Sequence, residues 1–370
     1  AMSLRERFVS QVRQGGVQVS ALCREFGISR QTGYKWLKRY DEAGVAGLAD
    51  QSRRPQHSPR QTGTVMEKVI IAARQAHPAW GGRKLKRWLE NKGYSGLPAP
   101  STITAILRRE GLLDPAESLK HQALQRFEMG SANELWQMDF KGHFQMGDGQ
   151  ACHPLTVLDD YSRFLVGLRA CPDETRRTVQ QHLTDLFRRY GLPQRMLMDN
   201  GSPWGDAAQS PYTRLTVWLL HLDIAVSHGR AYHPQTQGKD ERLHRTLQAE
   251  LLAHHVLSDL PACQLAFDTW RELYNLERPH EALGLQPPIV RFQPSDRPFP
   301  ETLPPLLYPS DAFVRKVNVT GRISFRNRPV RIGKAFQGYP VGLSPDPLTD
   351  GLFHVFFGRF EIRTLDLRSP

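Results

Sequence analysis

Apolar positions follow two different periods along the chain. Over residues 3–113 they recur at helical spacing, broken by Gly. Residues 3–40 predict three short helices: Leu4 to about Gln14, stopped by Gly15-Gly16; Ser20 to Phe26; and, after Gly27-Ile28, a third capped by Ser29 and running through Tyr40, with Tyr34, Trp36, Leu37 and Tyr40 as its apolar contacts. Three more are expected near Thr64–Ala76, Arg83–Asn91 and Ser101–Glu110, the last capped by Ser101. From about residue 130 the period shortens to two. Strands are expected over Leu135–Phe144, Cys152–Asp159 and Phe164–Ala170, with Gly147-Asp148-Gly149 as a hairpin turn. A helix follows from Glu174 to Tyr190, then a short buried strand Arg195–Met198, a helical stretch near Tyr212–His221, a strand Ile224–Ser227, and helices from Gly238 to about His254 and from Leu260 to Leu276. After a Pro-rich stretch, short alternating runs such as Phe313–Val317 and Leu352–Phe357 are separated by Gly.

The order βββαβαβα is that of the ribonuclease-H-like fold, so the expected fold class is multidomain α/β. Residues 1–50 are read as a helix-turn-helix domain, 51–63 as a linker, 64–118 as a second helix-turn-helix-like domain and 130–284 as the ribonuclease-H-like core. A Pro-rich linker over 285–311 and a small basic β-barrel over 312–370 complete the chain.

Charge changes the picture next. A formal net charge of +12 on 370 residues points to a polyanionic partner, nucleic acid before anionic membrane. No apolar run approaches the ~20 residues of a membrane span, and the first residues lack the apolar stretch of a secretory signal, so a cytoplasmic, nucleoid-associated protein is expected. Cys23, Cys152, Cys171 and Cys263 are too scattered for a disulfide framework or a Cys-rich zinc site and read as free buried thiols. With DNA as the partner, the Ser-capped helix becomes a recognition helix with Arg30, Gln31, Thr32 and Lys35 at its exposed start, where base edges are reached. The competing reading is a three-helix bundle with a solvated basic face. Arg53 and Arg54 lie in a segment that is either a spacer or a minor-groove arm. Arg83 and Lys84, with Lys86 and Arg87, form a basic face on the second helical domain. The tail serves either DNA binding or oligomerisation.

Three carboxylates carry the candidate chemistry. Asp139 lies inside the first strand, on the face opposite Trp136, Met138 and Phe140 and shared with Gln137 and Lys141. A carboxylate there is costly unless it is paired or binds a metal. Asp199 ends the apolar strand Met196-Leu197-Met198 at an Asn200-Gly201 turn, and strand carboxyl ends are where α/β sheets place ligands. Glu241 falls in the first turns of a helix. In the predicted fold these elements meet at one sheet edge. Three acids so gathered need cations, and all-oxygen ligands suit Mg²⁺ or Mn²⁺, two ions per site, as in in-line phosphoryl displacement. Asp139 is expected to bridge the ions, with Asp199 on one and Glu241 on the other. No P-loop is present, in keeping with chemistry that needs no nucleotide hydrolysis.

Four segments in order, Trp136-Gln137-Met138-Asp139, Asp159-Asp160-Tyr161-Ser162-Arg163, Met198-Asp199-Asn200-Gly201-Ser202 and His233-Pro234-Gln235-Thr236-Gln237-Gly238-Lys239-Asp240-Glu241-Arg242, resemble the catalytic core shared by retroviral integrases and bacterial insertion-sequence DDE transposases. Tyr274-Asn275 and Arg278–Leu283 resemble the closing stretch of the bacterial type. The resemblance covers about 130–290, and less strongly the first helix-turn-helix. It implies 3′-end processing and strand transfer on transposon ends and target DNA by a homo-oligomer, dimer or tetramer, on paired ends. No feature indicates a helper ATPase, which stays an open partner. The interval of 41 residues between Asp199 and Glu241 is longer than is usual for that family, with the extra residues placed around Gly205–Tyr212. Asp240 therefore competes with Glu241, and Glu250 more remotely, although the Gln-Gly-x-x-Glu pattern selects Glu241. Asp159 and Asp160 read as structural. Arg242 and Arg245 would bind phosphate or pair with the acids; Lys239 and His233 would contact DNA or lie in a solvated loop. Two other functions compete: a catalytically silent, transposon-derived regulator and a plain nuclease of the ribonuclease H type.

Overall fold

A computed structural model describes residues 3–50, 61–113, 128–205, 212–229 and 238–368. The chain divides into two compact units, residues 1–62 and 63–370.

The first unit is a three-helix cluster of α1 (Leu4–Gln14), α2 (Val19–Glu25) and α3 (Arg30–Ala43), followed by a 3₁₀ turn. Ser3 caps α1 in a reciprocal capping box with Glu6, and Ser29 caps α3 through the Thr32 amide. Gly27 turns the chain at φ +62°. Phe8, Val9, Leu22 and Cys23 form the core, and Gly33 lets α3 sit on it: a Cβ there would lie 2.6 Å from the Cys23 sulfur and 2.9 Å from the Phe8 ring. Trp36, Leu37 and Tyr40 pack against this core as expected. Tyr34 does not; it is 59% exposed and shares the outer side of the helix with Arg30, Gln31 and Lys35.

The second unit begins with α4 (Thr64–Ala76), α5 (Gly82–Asn91) and α6 (Pro100–Arg109), closed on Ile70, Trp80, Leu85, Leu89, Ile103 and Leu107. α6 starts with Pro at its first position and has no side-chain cap, so Ser101 lies inside the helix instead of capping it. Next comes a sheet of β1 (Trp136–Phe140), β2 (Phe144–Gln145), β3 (Ala151–Asp159), β4 (Leu165–Cys171), β5 (Arg195–Met198) and β6 (Ala225–His228), ordered β2-β3-β1-β5-β6, with β4 on the other edge of β3. β1 is antiparallel to β3 and parallel to β5. The single long first strand expected from the sequence is thus two, because the chain leaves the ladder at Lys141–His143. Trp136, Met138 and Phe140 pack on one face against α7 (Arg176–Tyr190) and α8 (Arg214–His221). The other face carries α9 (Gly238–Leu247) and α10 (Leu260–Glu272) through Leu243, Leu247, Cys263 and Phe267. α9 and α10 each continue into a π-helical turn, Gln248–Leu252 and Leu273–Glu277, so helical structure runs through nearly the expected ranges.

Side-chain links between Trp80, Trp88 and Lys92 and the acids Glu250 and Glu277 help bind the α4–α6 helices to this core. Trp80 donates to Glu250 at 3.0 Å, Trp88 to Glu277 at 3.0 Å, and Lys92 pairs with Glu277 at 3.0 Å. Residues 285–311 hold one 3₁₀ turn (Pro288–Val290) and no strand, and they pack on the core: Phe292 stacks on Phe164 at 3.9 Å, and Arg297 donates to the Pro193 carbonyl at 2.8 Å. The C-terminal strands β7 (Phe313–Lys316), β10 (Pro340–Pro345), β11 (Leu352–Phe357) and β12 (Phe360–Asp366) form a four-stranded antiparallel sheet ordered β12-β11-β10-β7, beside a hairpin of β8 (Arg322–Phe325) and β9 (Arg328–Arg331). Among the described residues no pairing joins the edge strands β12 and β7, so in place of the expected barrel there is an open sheet with a hairpin. All four cysteines are free and buried.

Candidate active site

Asp139 is the fourth residue of β1, opposite Thr156 of β3. Strand alternation sends its side chain to the face under α9, where Gln137 bonds to Asp160 and Lys141 to Gln248. Asp199 follows β5 directly. Its side chain accepts the Gly201 amide at 3.0 Å, closing a turn, and its main-chain carbonyl is 2.8 Å from His228 Nδ1. Glu241 is in the first turn of α9 and exposed. Its neighbour Asp240 is turned inward and only 1% exposed, with one carboxylate oxygen lacking any hydrogen-bond partner.

Electrostatics tie these acids together. Burial pushes the Asp139 carboxyl up to about 7, and the charges of Asp199, Glu174 and Glu241 add to the rise. Asp240 is raised well above the usual carboxylate range, by burial first and then by Asp139 and Asp160. Among the described residues no Lys or Arg pairs with Asp139, Asp199 or Glu241. The set fits a hard divalent cation on chemistry: oxygen donors, mutual repulsion and a buried orphan oxygen. Among the described residues no three His, Cys, Asp or Glu side chains stand close enough to enclose one ion. Residues 230–237, which lead into α9, and 206–211, where the extra length before α8 was placed, lie outside the described residues, as does His233.

The second acidic pair is built differently. Asp159 accepts the Asn133 amide at 2.7 Å and the Ser162 amide and hydroxyl at 2.8 and 2.5 Å. Asp160 accepts the Met129 amide at 2.9 Å and the Gln137 amide group at 2.6 Å, and pairs with Lys239. Glu250 is likewise spoken for: Arg278 and Trp80 hold it at 2.9 and 3.0 Å.

The basic residues divide. Arg30, Gln31 and Lys35 are exposed at the start of α3, and the Thr32 hydroxyl lies 2.9 Å from that of Ser29 in the cap. Arg83 and Arg242 both face Glu281, at 3.1 and 3.6 Å. Lys84 is half-buried and its ammonium lowered to about 8 by desolvation, then by Arg278. Lys239 is turned inward onto Asp160, and Arg245 is exposed without an ion pair among the described residues. Arg53 and Arg54 lie outside the described residues.

Sequence reasoning passed over His244, which lies 3.9 Å from the Asp139 carboxylate. Its i+4 relation to Asp240 was the available signal.

The core matches the Integrase core domain family in two stretches, residues 131–234 and 222–288. Residues 4–56 match a Helix-turn-helix domain family, 32–107 a Homeodomain-like domain family, and 312–370 the IS481 family transposase C-terminal domain. An insertion element IS407 protein of Burkholderia multivorans, 31.7 kDa and uncharacterised, is 25% identical over 232 residues, 60% of this chain and 80% of its own length. The Gag-Pro-Pol polyprotein of sheep pulmonary adenomatosis virus is 32% identical over 122 residues; that is 32% of this chain and 6% of the polyprotein, so the chain spans only a small part of that relative. The catalytic core of BIV integrase covers 43% of this chain and 92% of its own, at 24% identity and a TM-score of 0.33. The family matches define an integrase-core protein with helix-turn-helix DNA-binding domains. Its domains are those of an insertion-sequence transposase with a retroviral-integrase-type core.

Proposed function

We propose that this chain is an active DDE transposase that binds the terminal inverted repeats of its element, cleaves their 3′ ends and joins them to target DNA. The observation that carries the reading is the state of Asp139: half-buried, raised to about 7, and facing the charges of Asp199 and Glu241 with no Lys or Arg among the described residues to offset them. Asp139, Asp199 and Glu241 are the residues that would hold two Mg²⁺ ions, with Mn²⁺ as a substitute. Bound there, the ions would activate the attacking hydroxyl and stabilise the leaving oxygen. The chain's own side chains supply the rest. Arg30, Gln31 and Lys35 read the terminal repeat from the start of α3, while Arg245, with Arg242 and Arg83 released from Glu281, holds phosphates beside the acids. Joining two ends in concert requires more than one subunit, a dimer or tetramer, and places the protein on the nucleoid.

The test is strand transfer with purified protein, labelled DNA from the element's ends and a supercoiled plasmid target, in Mg²⁺ or EDTA, with Asp199→Asn alongside. Metal-dependent joined product that vanishes in the variant supports the reading. One observation favours a second reading, a catalytically silent DNA-binding regulator: among the described residues no three donors converge on one ion. Tight end binding without cleavage or joining in either metal would select it. Cleavage of an RNA–DNA hybrid would instead select a nuclease.

A further inference from the structure

His244 projects from the inner face of α9, one turn beyond Asp240, and is largely buried. Its Nε2 is 2.9 Å from the hydroxyl of Thr156, itself fully buried, and that hydroxyl is 3.0 Å from the main-chain carbonyl of Asp139. Its Nδ1 is 3.9 Å from the Asp139 carboxylate. Counting protons fixes the direction of these bonds. Thr156 has one hydroxyl proton, and the Asp139 carbonyl can only accept, so the proton goes there. Nε2 of His244 must then donate to the Thr156 oxygen. In the neutral ring this leaves Nδ1 bare, with its lone pair toward Asp139.

We propose that His244 is a positioning residue: by donating through Nε2 to Thr156, it pins α9 to the Asp139 backbone and so fixes the separation between the carboxylates of Asp139 and Glu241, which share this strand–helix contact. The role rests on the transposase reading, because it matters only if those two acids hold cations together. Without the pin both acids remain, but their spacing is free, and cation affinity falls before the fold does. Loss of a group that orients metal ligands costs on the order of 10–100-fold in metal affinity.

The experiment uses the full chain with terminal-repeat DNA and compares His244→Gln, His244→Leu, Thr156→Val and the Leu/Val double variant. Three quantities are read: Mn²⁺ binding by electron paramagnetic resonance, the Mg²⁺ concentration giving half-maximal joining, and the His244 tautomer by ¹⁵N NMR of the metal-free protein. His244→Leu is expected to weaken both metal readouts about tenfold, leaving end binding and melting temperature close to wild type. His244→Gln, whose amide can still donate to Thr156, should recover most of the loss. Thr156→Val should match His244→Leu, and the double variant should be no worse than either. Metal binding unchanged in His244→Leu, failure of Gln to restore it, or multiplied losses in the double variant would overturn the pin. An Nδ1–H tautomer would overturn the pin alone. Wild-type protein with the Nε2–H tautomer that binds no Mn²⁺ would overturn the metal-dependent reading of the acids and this role with it.

Discussion

Asp159 and Asp160 close β3, three register positions along from the Thr156–Asp139 pair. The two acidic groups of the sheet are therefore neighbours, and they are treated in opposite ways. Around Asp159 and Asp160 the chain provides backbone amides, the Ser162 hydroxyl, Gln137 and the Lys239 ammonium. Around Asp139, Asp199 and Glu241 it provides the Gly201 amide at Asp199, the Phe140 amide and the His244 ring at Asp139, and otherwise acids. Buried carboxylates saturated by internal donors are architecture; those left facing one another need something from outside. The unsatisfied group is thus the one to which chemistry is assigned.

The sharpest way to break this contrast is to neutralise one member of each group. Asp199→Asn should lower joining by at least about a thousandfold, some 4 kcal/mol in barrier, with melting temperature unchanged or raised because a repulsion is removed. Single-turnover strand transfer and a thermal melt decide it; joining within tenfold of wild type would merge the two groups again. Asp160→Asn should do the reverse on stability, costing about 3 kcal/mol, because Lys239 loses its counter-charge in a largely buried place. Urea unfolding measures this, and a loss under about 1 kcal/mol would make the pair a surface ornament.

A third outcome follows from protons. Asp139 titrates at about 7 folded against 3.8 unfolded, so between these values the native state holds a proton that the unfolded chain has released. Stability of the metal-free protein should therefore be full below the unfolded value and fall as pH rises through about 7, with Asp240 acting in the same direction. Asp139→Asn should flatten the profile in part, and Mg²⁺ should oppose the fall; a profile that rises over this range in the metal-free protein would contradict the unpaired state of Asp139. The smallest effect belongs to Ser162→Ala, which removes one hydroxyl from Asp159 and should cost about 1 kcal/mol without touching the metal dependence of joining.

Much of this was legible in the residues. The alternation around Asp139 predicted its face, opposite Trp136 and Met138, and the apolar Met196–Met198 predicted a strand that Asp199 follows. What the residues could not tell was which neighbour on α9 turns inward. Asp240 and Glu241 differ by one position, and their burial depends on the helix phase that Leu243 and Leu247 lock against the sheet. The partner of the basic face of α5 was hidden for a related reason: Glu281, which engages Arg83, is 198 residues away. Closure of the C-terminal strands was beyond reach too, since alternation reveals strands but not whether the first and last will pair.

The links from Trp80 to Glu250 and from Trp88 and Lys92 to Glu277 have a metrical consequence. Helices so fastened cannot swing on a tether, so any duplex lying along them would meet the acids at a set distance. With base pairs stacked 3.4 Å apart along a strand, such a mount would serve the proposed transposase as a gauge, counting off where along a bound end the scissile phosphate falls.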